Sequence, residues 1–243
     1  ILNDKIDNAV KFIISKSNPS NNEWLDKIIA LDNSIIKNII EKNIHNWFEG
    51  SIVKTCFNSL EKGDDFFIGN SMPIRDLDMF VPKCDKNINT FSNRGASGID
   101  GVISSALGVA SKSKNNTLLL IGDLSFYHDM NGLLAALRYD LNLTIVVINN
   151  EGGAIFSNLP IAKEKNSVYD EFWLTPHNLD FSYVAKLYDC NYDKVDSSDS
   201  LLKSLLKFKK VKGVNIIEAI IDKQDNVNRH RAIEKSLSSI QSK

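Results

Sequence analysis

The sequence predicts a doubly wound α/β domain on a parallel sheet, and three observations carry that prediction. Residues 117–121 and 143–148 are short, almost continuous apolar runs, as expected of strands buried on both faces. Between them, Phe126, Met130, Leu133, Leu134, Leu137 and Leu141 recur at helical spacing, so residues 125–141 read as a crossover joining two parallel strands. Beyond them, helical and strand-like runs continue to alternate, the pattern of one sheet covered on both sides.

Residues 1–22 read as an amphipathic stretch and a linker, because Ser17, Asn18, Pro19, Ser20, Asn21 and Asn22 form a polar breaker cluster. The chain opens on Ile1 and reads there as the middle of an element, so it is expected to be the C-terminal piece of a longer protein, with residues 1–22 the tail of a preceding domain. Residues 23–243 are expected to form one domain. Its first two helices cover about 23–44 and 46–60, and Gly63, Asp64 and Asp65 turn the chain into a strand at 66–68. A second short strand at 88–91 leads into Ser92-Asn93-Arg94-Gly95-Ala96-Ser97-Gly98-Ile99-Asp100-Gly101, where glycine permits close approach of backbone to a ligand, and a helix runs on to about Ser111. After the central strands, residues 151–179 read as an irregular span. A helix at 181–187, a strand at 190–195, a helix at 199–208, a strand at 214–221 and a polar terminal helix complete the alternation.

Composition excludes several classes. Lys and Arg total 29 against 30 Asp and Glu, a formal charge of -1, and no basic stripe accompanies aromatic residues, so nucleic acid is not an expected partner. No apolar run approaches the roughly 18 residues of a spanning helix, and no signal peptide opens the chain, so no membrane span is expected. Cys56, Cys84 and Cys190 are odd in number and far apart, which points to reduced thiols acting as small core residues in a cytosol or organelle stroma, and so to a cytoplasmic location.

The chemistry concentrates where two strands end, at Gly122-Asp123 and at Asn149-Asn150. In parallel sheets ligands collect beyond the carboxyl ends of strands, which brings Asp123 and Asn150 side by side. A carboxylate and an amide oxygen suit a hard octahedral cation shared with a diphosphate. Gly152 and Gly153 leave main-chain groups free to face a ligand without an intervening Cβ. A nicotinamide or flavin site is the competing reading of this stretch. The Gly-x-Gly-x-x-Gly turn after a first strand is missing, however, and Gly95, Gly98 and Gly101 are spaced differently.

Gly-Asp followed by Asn-Asn looks like the thiamin diphosphate motif. Four longer strings narrow it: Gly69-Asn70-Ser71-Met72-Pro73-Ile74-Arg75, residues 92–101, and the stretches 122–133 and 149–160. Together they resemble the 2-succinyl-5-enolpyruvyl-6-hydroxy-3-cyclohexene-1-carboxylate synthase family of menaquinone and phylloquinone biosynthesis, over about residues 23–235. The resemblance implies the diphosphate-binding domain of the thiamin diphosphate-binding fold, with Mg²⁺ or Mn²⁺ held by the Asp123 and Asn150 side chains and the Gly152 carbonyl. It places Leu124, Ser125, Gly153 and Ala154 along the phosphates, with Gly98, Ile99 and Ile155 also against the cofactor. Ile99 would press the cofactor's two rings into their bent form. Ser71, Arg75 and Arg94 would face substrate, with Ile155, Phe156 and Leu159 as an apolar wall.

The implied reaction is decarboxylation of 2-oxoglutarate and addition of the resulting four-carbon carbanion to isochorismate. Both substrates are dicarboxylates, which suits the two-point forks of Arg75 and Arg94. Acetolactate synthase and 2-oxoacid decarboxylases share the metal motif but do not account for residues 92–101 or Arg75, and the intact set of Asp123, Asn150, Arg75 and Arg94 argues against a non-catalytic binding module that has kept the fold. The activating glutamate is expected on an N-terminal pyrimidine-binding domain contributed by a partner subunit, in a homodimer or homotetramer. The chain alone would then bind the metal and diphosphate weakly without turnover. Glu23, Glu41 and Glu49 read as solvent-facing, and His45 and Arg229-His230-Arg231 as surface. Ser71 could instead cap the helix that follows it, His128 and Asp129 read as solvated or hydrogen-bonded, and His177 lies in a span that could close over substrate.

Overall fold

The computed structural model describes residues 6–17, 22–163 and 167–241; residues 1–5 and the breaker positions Asn18, Pro19, Ser20 and Asn21 lie outside the described residues. Among the described residues six strands form one sheet: β1 Asp65–Ile68, β2 Asn89–Phe91, β3 Thr117–Gly122, β4 Leu143–Asn149, β5 Asn191–Val195 and β6 Val214–Ile220. Their order is β2-β1-β3-β4-β6-β5, and every pairing is parallel. The doubly wound α/β prediction holds.

Alternation along the strands sorts side chains onto two faces. Leu118, Leu120, Val146, Ile148 and Ile217 join one core with Ile52, Val53 and Cys56 of the helix Glu49–Ser59 and Leu201 and Leu205 of the helix Ser198–Phe208. Leu119, Ile121, Ile145, Val147 and Ile216 join the other with the helices Val102–Ala110, Leu133–Tyr139 and Ser182–Leu187. Each such buried side chain stabilises the fold by roughly 1.5–3 kcal/mol before conformational entropy is charged against it. The apolar runs are continuous in sequence because both faces of β3 and β4 are covered.

Two elements differ from the periodicity. The crossover is broken into the helices Asp123–Asp129 and Leu133–Tyr139 by a tight turn at Met130–Gly132. Asp129 accepts from Ser104 N at 2.8 Å and Ser104 Oγ at 3.1 Å, and Gly132 lies so close that an added Cβ would sit 2.5 Å from Ser104 Oγ. The break lets the crossover clamp the neighbouring helix Val102–Ala110. The first long helix, Glu23–Ile35, widens at Ile36–Ile40 before Glu41–Asn43, and burial begins there, with Ile39, Ile40 and Ile44 against Phe48, Phe80 and Ile233. The helices Ile6–Lys16 and Glu23–Ile35 bury no side chain of this chain.

The winding reverses between β1 and β3, since β1 is followed by β2 on one side and β3 lies on the other. A crevice therefore opens at their carboxyl ends. Among the described residues no helix is long and apolar enough to cross a membrane. Cys56, Cys84 and Cys190 are free thiols, the first buried and the second exposed.

Candidate active site

Asp123 starts the helix after β3 and is 2% exposed. Its Oδ1 accepts from Leu124 N at 2.6 Å, and its Oδ2 accepts from Asn150 N at 3.1 Å and Gly152 N at 2.9 Å. The carboxylate is thus held by the backbone that follows β4, so the two strand ends meet. His177 adds a third element: its Nε2 lies 3.3 Å from Asp123 Oδ2, and its Nδ1 accepts from Leu179 N at 3.0 Å. The contact with Asp123 holds the imidazole pKa above its ordinary value, against the opposing effect of burial. His177 therefore comes down from the 151–179 span onto the carboxylate itself.

Asn149 and Asn150 have different jobs. Asn149 Nδ2 donates to the buried Glu218 Oε1 at 2.6 Å and its Oδ1 accepts from Glu151 N at 3.0 Å, so it locks the turn after β4. Asn150 Nδ2 donates to Glu49 Oε1 at 2.7 Å, while Asn150 Oδ1 is buried with no hydrogen-bond partner. An orphaned buried acceptor costs about 1–3 kcal/mol, so a ligand that fills its place is favoured. The Gly152 carbonyl accepts from Ala154 N at 3.0 Å and keeps a second lone pair. Carboxylate, amide and carbonyl oxygens make an all-oxygen donor set, which fits a hard divalent cation.

Glu49 and His230 correct the sequence reading. Glu49 is 1% exposed and His230 4% exposed, where solvent was expected for both. Burial first, and then the nearby Asp76 charge, push the Glu49 carboxyl up to about 7. Burial opposes a charged His230, yet the Asp76 bond at 2.9 Å and the two carboxylate charges hold its pKa up at about 9. The signal was present: Glu49 shares the i, i+3, i+4, i+7 face of Ile52, Val53 and Cys56, and His230 stands three residues before the buried Ile233. Polarity was given more weight than position. Glu23, Glu41 and His45 are exposed as expected, and so is His128, while Asp129 is buried on Ser104. Of the arginines beside His230, Arg229 pairs with Asp225 and Arg231 donates to Ser157 O.

Gly152 has φ +129, and a Cβ there would lie 2.1 Å from Leu174 O. Gly153 N donates to Leu174 O at 2.7 Å, so the glycine pair lies directly against the end of the irregular span. Together with Asp123 and Asn150 they line a cavity of about 170 Å³, which Ser71, Leu124, Ser125, Ile99, Ala154, Ile155 and Phe156 also border. Ser125 Oγ donates to Ile99 O at 3.0 Å and so ties Ile99, itself 38% exposed, over the pocket. Phe156 stacks edge-on against Trp173 with centroids 5.3 Å apart. Leu159 is exposed and does not border this cavity. A larger groove of about 420 Å³ opens at the amino ends of the strands, away from these groups.

Ser71 follows β1 with φ 72, a left-handed conformation rare for a residue with a Cβ, and its side chain does not cap the helix Met72–Phe80. Its carbonyl accepts from Arg75 Nη1 at 2.5 Å. Arg94 is exposed, with Nη1 3.4 Å from Asn70 Oδ1. Asn70 was unassigned from sequence. Its Nδ2 donates to Asn93 O at 3.2 Å and Gly98 O at 2.7 Å, stapling the 92–101 loop to the end of β1. Gly98 leaves room for Asp100, whose Oδ1 would lie 2.3 Å from an added Cβ.

The chain has relatives in both sequence and fold. Residues 80–219 match the model of the thiamine pyrophosphate enzyme C-terminal TPP binding domain. The chain is 43% identical to a 2-succinyl-5-enolpyruvyl-6-hydroxy-3-cyclohexene-1-carboxylate synthase of Listeria innocua over 218 residues, covering 89% of this chain and 37% of that protein. It is also 43% identical to a protein of the same name from Oceanobacillus iheyensis over 201 residues, 82% of this chain and 34% of that one. It therefore spans about a third of the length of these relatives. Among solved structures, a benzoylformate decarboxylase from Polynucleobacter necessarius superposes with a TM-score of 0.58 at 22% identity, over 72% of this chain and 33% of that one, and shares the fold. The chain belongs to the thiamine pyrophosphate enzyme family, as a C-terminal TPP-binding domain of the kind found in 2-succinyl-5-enolpyruvyl-6-hydroxy-3-cyclohexene-1-carboxylate synthases.

Proposed function

We propose that this chain is the diphosphate-and-metal half of an enzyme that decarboxylates 2-oxoglutarate and adds the product fragment to isochorismate. The observation that carries the reading is the meeting of Asp123 and Asn150 at the ends of β3 and β4, with Asn150 Oδ1 buried and unpaired. Asp123, Asn150 and the Gly152 carbonyl would hold Mg²⁺ or Mn²⁺ against the diphosphate, with Leu124, Ser125, Gly153 and Ala154 along it. When bound, thiamin diphosphate supplies the electron sink for loss of carbon dioxide. The chain's own groups would supply position: Ile99 and Ile155 border the cavity and would exclude water once it is filled, and Phe156 is braced by Trp173. Ser71, Arg75 and Arg94 would meet the substrate carboxylates, where planar guanidinium forks give two-point contacts.

The mutual similarity to the synthases of two bacteria supports this choice over other thiamin diphosphate reactions. A pyrimidine-binding domain from a partner subunit would complete the site, within a homodimer or homotetramer, and residues 1–22 would connect the two domains. The test is to supply the full-length protein with Mg²⁺ and thiamin diphosphate and measure product from 2-oxoglutarate plus isochorismate, and separately from pyruvate. Turnover of the first pair is expected. Turnover of pyruvate alone would assign the chain to a different reaction.

A further inference from the structure

We propose that Glu49 is a positioning residue for the divalent cation: through its bond to Asn150 Nδ2 it turns the Asn150 amide so that the oxygen, not the nitrogen, faces the diphosphate pocket. This rests on the cation reading of Asp123 and Asn150 given above.

The argument is geometric. An asparagine amide has an acceptor end and a donor end of nearly equal shape, and the partner at one end decides what the other end offers. Glu49 Oε1 lies 2.7 Å from Asn150 Nδ2 at the wall of the same cavity, which Glu49 also borders, and this leaves Asn150 Oδ1 as the buried atom without a partner. An amide turned the other way would set two acceptors against each other at an ionised Glu49 and present N–H groups to a cation.

Glu49 can impose that choice only if it is itself held in place, and two distant helices close around it. Its backbone N–H donates to Asn226 Oδ1 at 3.0 Å. Asn226 O lies 3.0 Å from His230 Nδ1, and since a carbonyl only accepts, Nδ1 carries the proton. His230 Nε2 reaches Asp76 Oδ1 at 2.9 Å, and Glu49, Asp76 and His230 each offer an atom within 4.8 Å of the others. Phe48 and Phe80 pack edge-on around the imidazole, at 5.5 and 5.9 Å between centroids, and close it off. The helix Glu49–Ser59, the helix Met72–Phe80 and the terminal helix Lys223–Gln241 thus meet at one buried cluster whose only bonded outlet toward the pocket, among the described residues, is the Asn150 amide.

The experiment measures, in the full-length protein, the Mn²⁺ concentration that half-saturates thiamin diphosphate binding, alongside thermal unfolding without metal or cofactor. Glu49→Leu is expected to raise that concentration ~10–100-fold, the usual effect of losing a group that orients a metal ligand. Glu49→Gln, whose side-chain oxygen can accept the same bond, is expected to restore it to within about threefold, on the scale of one ordinary hydrogen bond. Unchanged Mn²⁺ dependence in a folded Glu49→Leu protein, or equal impairment of Leu and Gln variants, would overturn the proposal. Asp123→Ala separates the two levels: if it leaves metal-dependent binding intact, the cation reading itself fails, and if it abolishes binding while Glu49→Leu does not, only the role of Glu49 falls. Should Glu49→Leu not fold, the metal-loaded structure of the unmodified protein decides. Asn150 then keeps one amide atom on the metal and the other on Glu49, or the bond to Glu49 is absent and the proposal is wrong.

Discussion

The two sides of the crevice are built to different standards. On the cation side, Asp123, Asn150 and Gly152 are buried, and their partners are backbone groups and core side chains fixed by β3, β4 and the cluster beneath them. On the substrate side, Arg75, Arg94 and Ile99 are exposed, and the two arginines fold back onto Ser71 O and Asn70 Oδ1. One side is finished within this chain; the other holds its charges near solvent, where water screens them and long side chains keep their freedom. On the function proposed above, a chain of this shape would select the metal and diphosphate through rigidity and leave substrate contacts to be completed on binding.

If that contrast is right, the largest loss follows Asp123→Ala. In the full-length protein it is expected to weaken Mg²⁺-dependent thiamin diphosphate binding by ~100-fold or more, beyond the range seen when only an orienting group is removed. Isothermal titration with and without Mg²⁺ checks this, and binding that stays metal-dependent and unweakened would erase the distinction between the two sides. Gly152→Ala comes next: its φ of +129 and the 2.1 Å approach to Leu174 O predict a stability loss of about 1–3 kcal/mol from backbone strain, with the clash added. Urea unfolding measures it, and native-like stability would mean that the turn is free to move.

Arg94→Ala sharpens the contrast from the other side. The expected result is a ~10-fold rise in KM for the dicarboxylate substrates, the scale of one charged hydrogen bond near water, with cofactor affinity unchanged. Equal loss of cofactor binding would make Arg94 part of the rigid frame.

The smallest effect is in pH. His230 has its folded pKa raised to about 9 from 6.5, so its contribution to stability is complete below about pH 6.5 and is lost as pH rises through 9. Glu49, raised from 4.5 to about 7, acts in the same direction, because the folded state holds the extra proton and loses that advantage between those values. Thermal unfolding between pH 6 and about 9.5 is therefore expected to show a falling midpoint, with a flatter slope in His230→Gln. A midpoint that rises with pH would place the charges of this cluster elsewhere.

The fold was readable because its signals are local. Two covered strands must be apolar throughout, and the crossover between them must be helical, so β3 and β4 stand out in the chain alone. Asp123, Asn150 and Gly152 were readable for a related reason: each follows a strand end, and parallel topology brings strand ends together. What stayed hidden depends on contacts between distant segments. Glu49 is 101 positions from Asn150 and His230 is 154 from Asp76, and no local pattern announces either pairing. The helical spacing of Glu49 and His230 marked them as buried, though not what they touch. His177 had no periodicity to mark it at all, since it arrives from an irregular span. The break at Met130–Gly132 was likewise invisible, because it answers to Ser104 on another helix.

The most direct test of the central claim is an anomalous-scattering map of the full-length protein crystallised with Mn²⁺ and thiamin diphosphate. The account predicts one strong peak within about 2.1 Å of an Asp123 carboxylate oxygen, the Asn150 amide oxygen and the Gly152 carbonyl, the distance of a small hard cation from its oxygen ligands. A peak that shares no ligand with Asp123 and Asn150 would contradict it.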